Sequence, residues 1–310
     1  MSGEWRMSAL FVVAPGVIAA LAGRRAIVAL ETTLVTHGLP PPEGIETALA
    51  LEAAVLESGA VPATIGVLDG AVRVGMSRAE IQRLARTADV AKLNPGNLGA
   101  GVASRRPGST TVAATMLAAC RAGIRVFATG GIGGVHRNAS ETGDVSADLH
   151  ALARWPVAVV CAGAKAILDL PRTVEALESL GVPVFGYRTS TFPAFYRRDS
   201  GLRLDARFDE MSSLADAVRV HFHLDAGTGV VVANPVPEAH EMPADVYERS
   251  LATALADAAR AGVRGRDVTP FLLDRLRVLT EGVSVFSNRA LLVDNARVAG
   301  QLAVALAERA

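Results

Sequence analysis

The chain has 310 residues, half of them hydrophobic, and its 31 basic side chains are balanced by 31 acidic ones. So apolar a chain can bury a large core, which excludes wholesale disorder, and its neutrality excludes a nucleic-acid sleeve or a membrane-surface protein, both of which need a basic excess. The two cysteines, Cys120 and Cys161, lie in apolar runs, which excludes a disulfide scaffold and suits the reducing cytoplasm.

The charge-free stretch from Met7 to Gly23 is short for a membrane span and is broken by Pro15-Gly16. Glu4 and a single Arg6 before it make a poor secretory leader, so it reads as a short amphipathic helix entering the first strand. Ala26 to Leu30 follows as a buried strand, and Pro42 to Ser58 as a helix ended by Gly59. Ala63 to Leu68 and Ala71 to Val74 flank Asp69-Gly70, a type I′ hairpin signal. Ser77 to Glu80 is a capping box. Ser109-Thr110-Thr111 caps a helix running to Arg121 and stopping at Gly123, and Ile124 to Ala128 is a strand. Ser146 caps another helix, Val157 to Cys161 is a strand, and Pro171 starts a helix closed by Gly181. Val182 to Tyr187 and Val230 to Ala233 are strands; Arg188 to Arg207 is irregular, either a lid, an oligomer contact or a surface excursion. His221-Phe222-His223 alternates as a strand would, and two long helices, Pro243 to Ala261 and Ser287 to Ala310, finish the chain. Strands alternating with helices predict an α/β fold, with helices on both faces of a mixed, mostly parallel sheet.

Ligands of open α/β sheets bind beyond the carboxyl ends of the strands. Four loops should meet there: Glu31-Thr32-Thr33, Thr129-Gly130-Gly131, Gly163-Ala164-Lys165 and Asn234-Pro235. Lys92 and Lys165 are the only lysines in a chain that otherwise uses arginine. Arginine stays protonated, whereas a lysine desolvated among small residues can lose its proton and attack a carbonyl, so Lys165 is the candidate Schiff-base nucleophile. Lys92 with the helix end at Ser109-Thr110-Thr111 suits an anion such as phosphate, or is a plain cap. Glu31, ending a hydrophobic strand, is either a buried general acid or a carboxylate capping a neighbouring helix. Asp144 and Asp148, four apart around Ser146, suit Mg²⁺ or Mn²⁺, or are simply acids favoured at a helix start. Gly131-Ile132-Gly133 begins like a dinucleotide fingerprint, but His136 stands at the third glycine position.

Several segments together resemble the pseudouridine-5′-phosphate glycosidases, also called the indigoidine synthase A-like family. They are Val28-Ala29-Leu30-Glu31-Thr32-Thr33, Gly59-Ala60-Val61-Pro62-Ala63-Thr64, the run TGGIGGVHR from Thr129 to Arg137, Asp144-Val145-Ser146-Ala147-Asp148-Leu149 and Cys161-Ala162-Gly163-Ala164-Lys165. Val232-Ala233-Asn234-Pro235, Thr269-Pro270-Phe271-Leu272-Leu273 and Ser287-Asn288 extend the likeness from about residue 15 to the end. The resemblance implies one three-layer α/β/α domain spanning 1–310, with 1–14 as an N-terminal extension, in a cytoplasmic homotrimer. It implies a glycosidase or lyase of nucleotide metabolism. Such an enzyme reversibly cleaves the C–C glycosidic bond of pseudouridine 5′-phosphate to uracil and ribose 5-phosphate, with one divalent metal, usually Mn²⁺. On that resemblance Lys165 is the nucleophile, Glu31 the proton donor and Asp144 the metal ligand, with Asp148 as the alternative ligand. Lys92, Val112, Ser146, Ala147 and Asp148 contact substrate, and Thr129, His136 and Asn288 face the base. Thr33 and Val35 stand where relatives often carry isoleucine, and the segment from Lys92 to Thr110 is rich in glycine and proline.

Overall fold

Strand β1 (Phe11–Val13) and helix α1 (Pro15–Ala22) lead into β2 (Ile27–Leu30), a π-helical turn at Leu34–Gly38 and α2 (Glu43–Glu57). The hairpin β3 (Val61–Leu68) and β4 (Ala71–Val74) precedes α3 (Arg78–Arg86), β5 (Ala91–Leu93), α4 (Pro95–Ala103) and β6 (Gly108–Thr110). Next come α5 (Val112–Ala122), β7 (Val126–Ala128), the short α6 (Ala139–Thr142), α7 (Ala147–Leu152) and β8 (Ala158–Cys161). The chain continues through α8 (Leu170–Ser179), β9 (Val184–Tyr187), β10 (Ala206–Phe208), α9 (Met211–His223) and β11 (Val230–Ala233), and closes with α10 (Ala244–Arg260), α11 (Val268–Leu279) and α12 (Val283–Ala307). The structure, a computed structural model, describes residues 10–39, 42–263 and 268–308.

Among the described residues eleven strands share one sheet, ordered β1-β4-β3-β2-β7-β8-β11-β9-β10, with β6 against β3 and β5 against β6. Only the β3–β4 and β3–β6 pairings are antiparallel, so the sheet is mixed and mostly parallel. β2, β8 and β11 are four-residue apolar runs buried from end to end, the pattern of strands covered on both faces. Helices α2, α9 and α12 pack together on one side; α4, α5 and α7 form the other layer. Helix α12 is the one described helix long and apolar enough to cross a membrane, but it lies against β2, β7, β8 and α2 as a core element.

Several local expectations hold. Asp69 and Gly70 both take positive φ, as a type I′ turn requires, and Ser77 and Glu80 form the reciprocal capping box. Others are corrected. Residues 11–13, placed in an N-terminal extension, form an edge strand parallel to β4. Ser109 and Thr110 belong to β6 and only Thr111 caps α5, because the Thr110 hydroxyl is held by the Ile65 carbonyl of β3. His221 and His223 lie on α9, not on a strand. Among the described residues the C-terminal region holds three helices rather than two, α11 being the addition. The excursion from Arg188 to Arg207 has core at its centre: Phe192, Phe195 and Tyr196 are buried, and Arg197 pairs with Glu241 at 2.8 Å.

Candidate active site

β2, β7 and β8 are parallel neighbours, with Leu30 beside Ala128 and Ala128 beside Val160. The residues one step beyond, Glu31 and Thr129, therefore emerge side by side, and the Thr129 hydroxyl donates to Glu31 Oε1 at 2.5 Å. From β8 the chain turns through Gly163, whose φ of +80° and closeness to the Pro193 carbonyl leave no room for a Cβ. Lys165 stands just past that turn, its backbone N–H bound to the Ile132 carbonyl at 3.0 Å.

Glu31, Thr129 and Lys165 line a cleft of about 370 Å³. Every predicted site residue borders it: Glu31, Lys92, Val112, Thr129, His136, Asp144, Ser146, Ala147, Asp148, Lys165 and Asn288. Lys92 arrives on β5 in register with Ser109 of β6, and Val112, the first residue of α5, lines the same cleft. Asn288 arrives on α12. The fourth expected loop stays out. Asn234 is at the same rim, but its side chain turns to Asp294 and Asn295 of α12 rather than into the cleft.

Asp148 is a buried hub. Its Oδ1 accepts the Ala113 N–H at 2.9 Å and its Oδ2 accepts the Gly133 N–H at 2.8 Å, pinning the start of α5 to the glycine-rich loop. A Cβ on Gly133 would overlap both Ser146 and Asp148, so the loop can close on α7 only as glycine. The first turn of α5 is thus partly satisfied within the protein, since Thr111 also caps Ala114 N–H. It offers a ligand fewer N–H groups than its sequence suggests.

Burial pushes the Glu31 carboxyl above its ordinary range, and the nearby Asp148 adds to the rise. Lys165, the Thr129 hydrogen bond and Lys92 pull the other way, and burial prevails. Burial also lowers the His136 imidazole, against the opposing pull of Asp144, whose Oδ2 lies 3.9 Å from His136 Nδ1. His37 is lowered by burial and by Lys92, while its Nδ1 sits 2.6 Å from the Thr36 hydroxyl. Cys161, fully buried, is pushed up to about 12 and is an inert core thiol.

Among the described residues no group of three His, Cys, Asp or Glu side chains could cage a metal. Asp144, half-buried on the cleft wall beside His136, fits a hard divalent ion held through one carboxylate and several waters. Asp148 fits less well, because each of its oxygens already accepts a backbone N–H. Two wall residues carried no role from the sequence: His37, which with Thr36 and Gly38 belongs to the opening motif of the family resemblance, and Phe195, for which the buried Phe-Pro-Ala-Phe-Tyr run was the available signal.

Residues 16–305 match the family profile described as indigoidine synthase A like protein. A relative from Methylobacterium nodulans, named pseudouridine-5′-phosphate glycosidase, is 56% identical across 94% of this chain and 87% of its own. One of the same name from Herpetosiphon aurantiacus is 52% identical across 95% and 97%. The fold superposes on the prealnumycin C-glycosynthase AlnA, solved in complex with ribulose 5-phosphate, with a TM-score of 0.90, 39% identity and coverage of 97% and 98%. It also superposes on an indigoidine synthase A-like protein from Thermotoga maritima, with a TM-score of 0.87, 34% identity and coverage of 96% and 97%. The chain belongs to the indigoidine synthase A-like family.

Proposed function

We propose that this chain reversibly cleaves the C–C glycosidic bond of pseudouridine 5′-phosphate, giving uracil and ribose 5-phosphate. The observation that carries the reading is one cleft in which both lysines of the chain face a buried carboxyl held toward its protonated form. The names of the relatives and the sugar phosphate bound by AlnA point the same way.

A C–C bond has no heteroatom to leave on, so protonating a leaving oxygen is not enough. The Lys165 amine bonds to C1′ as the C1′–O4′ bond breaks and opens the ring; the bond pair leaves on O4′, which takes up the proton the amine loses, and Glu31 gives its proton to the pyrimidine carbon that carries the sugar. The nitrogen lone pair then forms the C1′=N bond while the C1′–C bond pair returns to the protonated pyrimidine. Uracil departs, and water hydrolyses the iminium to ribose 5-phosphate and the free amine. Lys92 holds the phosphate as a point charge, and Val112, Ser146, Ala147 and Asp148 line the sugar side of the cleft. Thr129, His136 and Asn288 face the base. A divalent ion, Mn²⁺ or Mg²⁺, would be held by Asp144 and would polarise and orient oxygens of the substrate. The homotrimer implied by the family resemblance belongs to this reading, and light scattering checks it.

Incubating the purified chain with uracil, ribose 5-phosphate and Mn²⁺ tests the reaction in its synthetic direction. A new C-nucleotide with the mass of pseudouridine 5′-phosphate is expected; no product across a range of metal concentrations would remove the proposal. A lysine adduct with ribose 5-phosphate but no turnover of uracil would point instead to a lyase or aldolase for another substrate.

A further inference from the structure

Helix α12 buries the amide of Asn295 completely where the helix packs on the sheet. Such a group costs free energy unless its hydrogen bonds are made. Here they are made in one direction only. The Asp294 carboxylate can only accept, so Asn234 turns its NH₂ to Asp294 Oδ2 at 2.9 Å and to Asn295 Oδ1 at 2.9 Å. Asn295 is left with its own NH₂ for the Thr129 carbonyl at 2.8 Å, another acceptor-only group. The Thr129 N–H is taken by Val160, so its carbonyl, just past the last ladder pair of β7, depends on Asn295. The same residue's hydroxyl donates to Glu31.

We propose that Asn295, oriented by Asn234 and Asp294, is a positioning residue that fixes the Thr129 peptide and, through the Thr129 hydroxyl, the carboxyl of Glu31. This rests on the reading of Glu31 as the acid. Because the hydroxyl donates to Oε1, the acidic proton is left to Oε2. The charged groups acting on Glu31 from other elements are Lys165 after β8, Asp148 on α7 and Lys92 on β5, and none of them touches Asn295 by a hydrogen bond. Removing the Thr129 contact takes away a bond that favours the ionised carboxylate, so the carboxyl should hold its proton to higher pH.

The test is the pH profile of kcat and KM for cleavage of pseudouridine 5′-phosphate by Asn295→Leu, Thr129→Val, the double variant and Glu31→Gln. Asn295→Leu should lower kcat on the order of tenfold with KM little changed. It should move the alkaline fall of the profile to higher pH, as Thr129→Val does. The double variant should be no worse than Thr129→Val alone, since both act on one path. Should Asn295→Leu fail to fold by circular dichroism, Asn234→Ser, which frees the Asn295 amide, is judged by the same criteria. An unmoved profile with wild-type kcat, or losses that multiply in the double variant, would overturn the role of Asn295. Full activity in Glu31→Gln would instead remove the acid assignment, and the positioning role with it.

Discussion

Glu31 and Lys165 differ in what their surroundings ask of them. Glu31 is buried and pushed upward; as the proposed acid it acts while protonated, so cleavage should fall as pH rises through its raised value. Glu31→Gln, which keeps the shape and loses the proton, should lower kcat ~10²- to 10⁴-fold. The same shift links to stability. The folded protein binds this proton more tightly than the unfolded chain does, so the contribution is fully present below the unfolded value of 4.5. It is lost as pH climbs through the raised folded value. Denaturation from pH 4 to 8 should therefore show wild type losing stability relative to Glu31→Gln as pH increases, and a constant difference would contradict the burial argument. Lys165→Arg should be as inactive as Lys165→Ala, because a guanidinium keeps its proton and forms no iminium.

At the scale of elements, the two aspartates of one short segment should separate cleanly. Asp148→Ala would leave the buried N–H groups of Ala113 and Gly133 without a partner, at about 1–3 kcal/mol each, so Tm should fall along with activity. Asp144→Ala breaks no such bond of its carboxylate beyond the long contact to His136, so it should leave Tm nearly unchanged and raise the Mn²⁺ concentration needed for half activity. Thermal melts and metal titrations of the two variants check this; equal loss of Tm would contradict it. Legibility follows similar lines. Glu31, Thr129 and Lys165 could be read because uninterrupted apolar strands announce where a rim begins. Helix α4 was missed because Pro-Gly-Asn-Leu-Gly-Ala-Gly is poor helix sequence, rescued here by the Asn94 capping box. Ser109 and Thr110 read as caps because hydroxyl residues before a helix usually are, whereas two strand contacts claim them.

At the scale of the molecule, the sheet order puts β2, β7 and β8 in the middle, and α12 crosses behind them to bring Asn288 and Asn295 to the same rim. Asn288 was reached only through the family resemblance, and the place of Asn295 was not legible, since an asparagine in a long helix looks like a surface residue until the helix is docked. In the proposed site one carboxylate, that of Asp144, holds the metal, so the fold should not depend on it. Chelation should abolish turnover and leave the melting curve close to that of the loaded protein. A large drop in Tm on chelation would mean that the ion is structural.

The most direct measurement is borohydride reduction of the protein mixed with ribose 5-phosphate, followed by peptide mass spectrometry. A single stable sugar-phosphate adduct on the peptide carrying Lys165, absent from Lys165→Ala, is the predicted result. An adduct on Lys92 alone, or full turnover with no adduct at either lysine, would contradict the account.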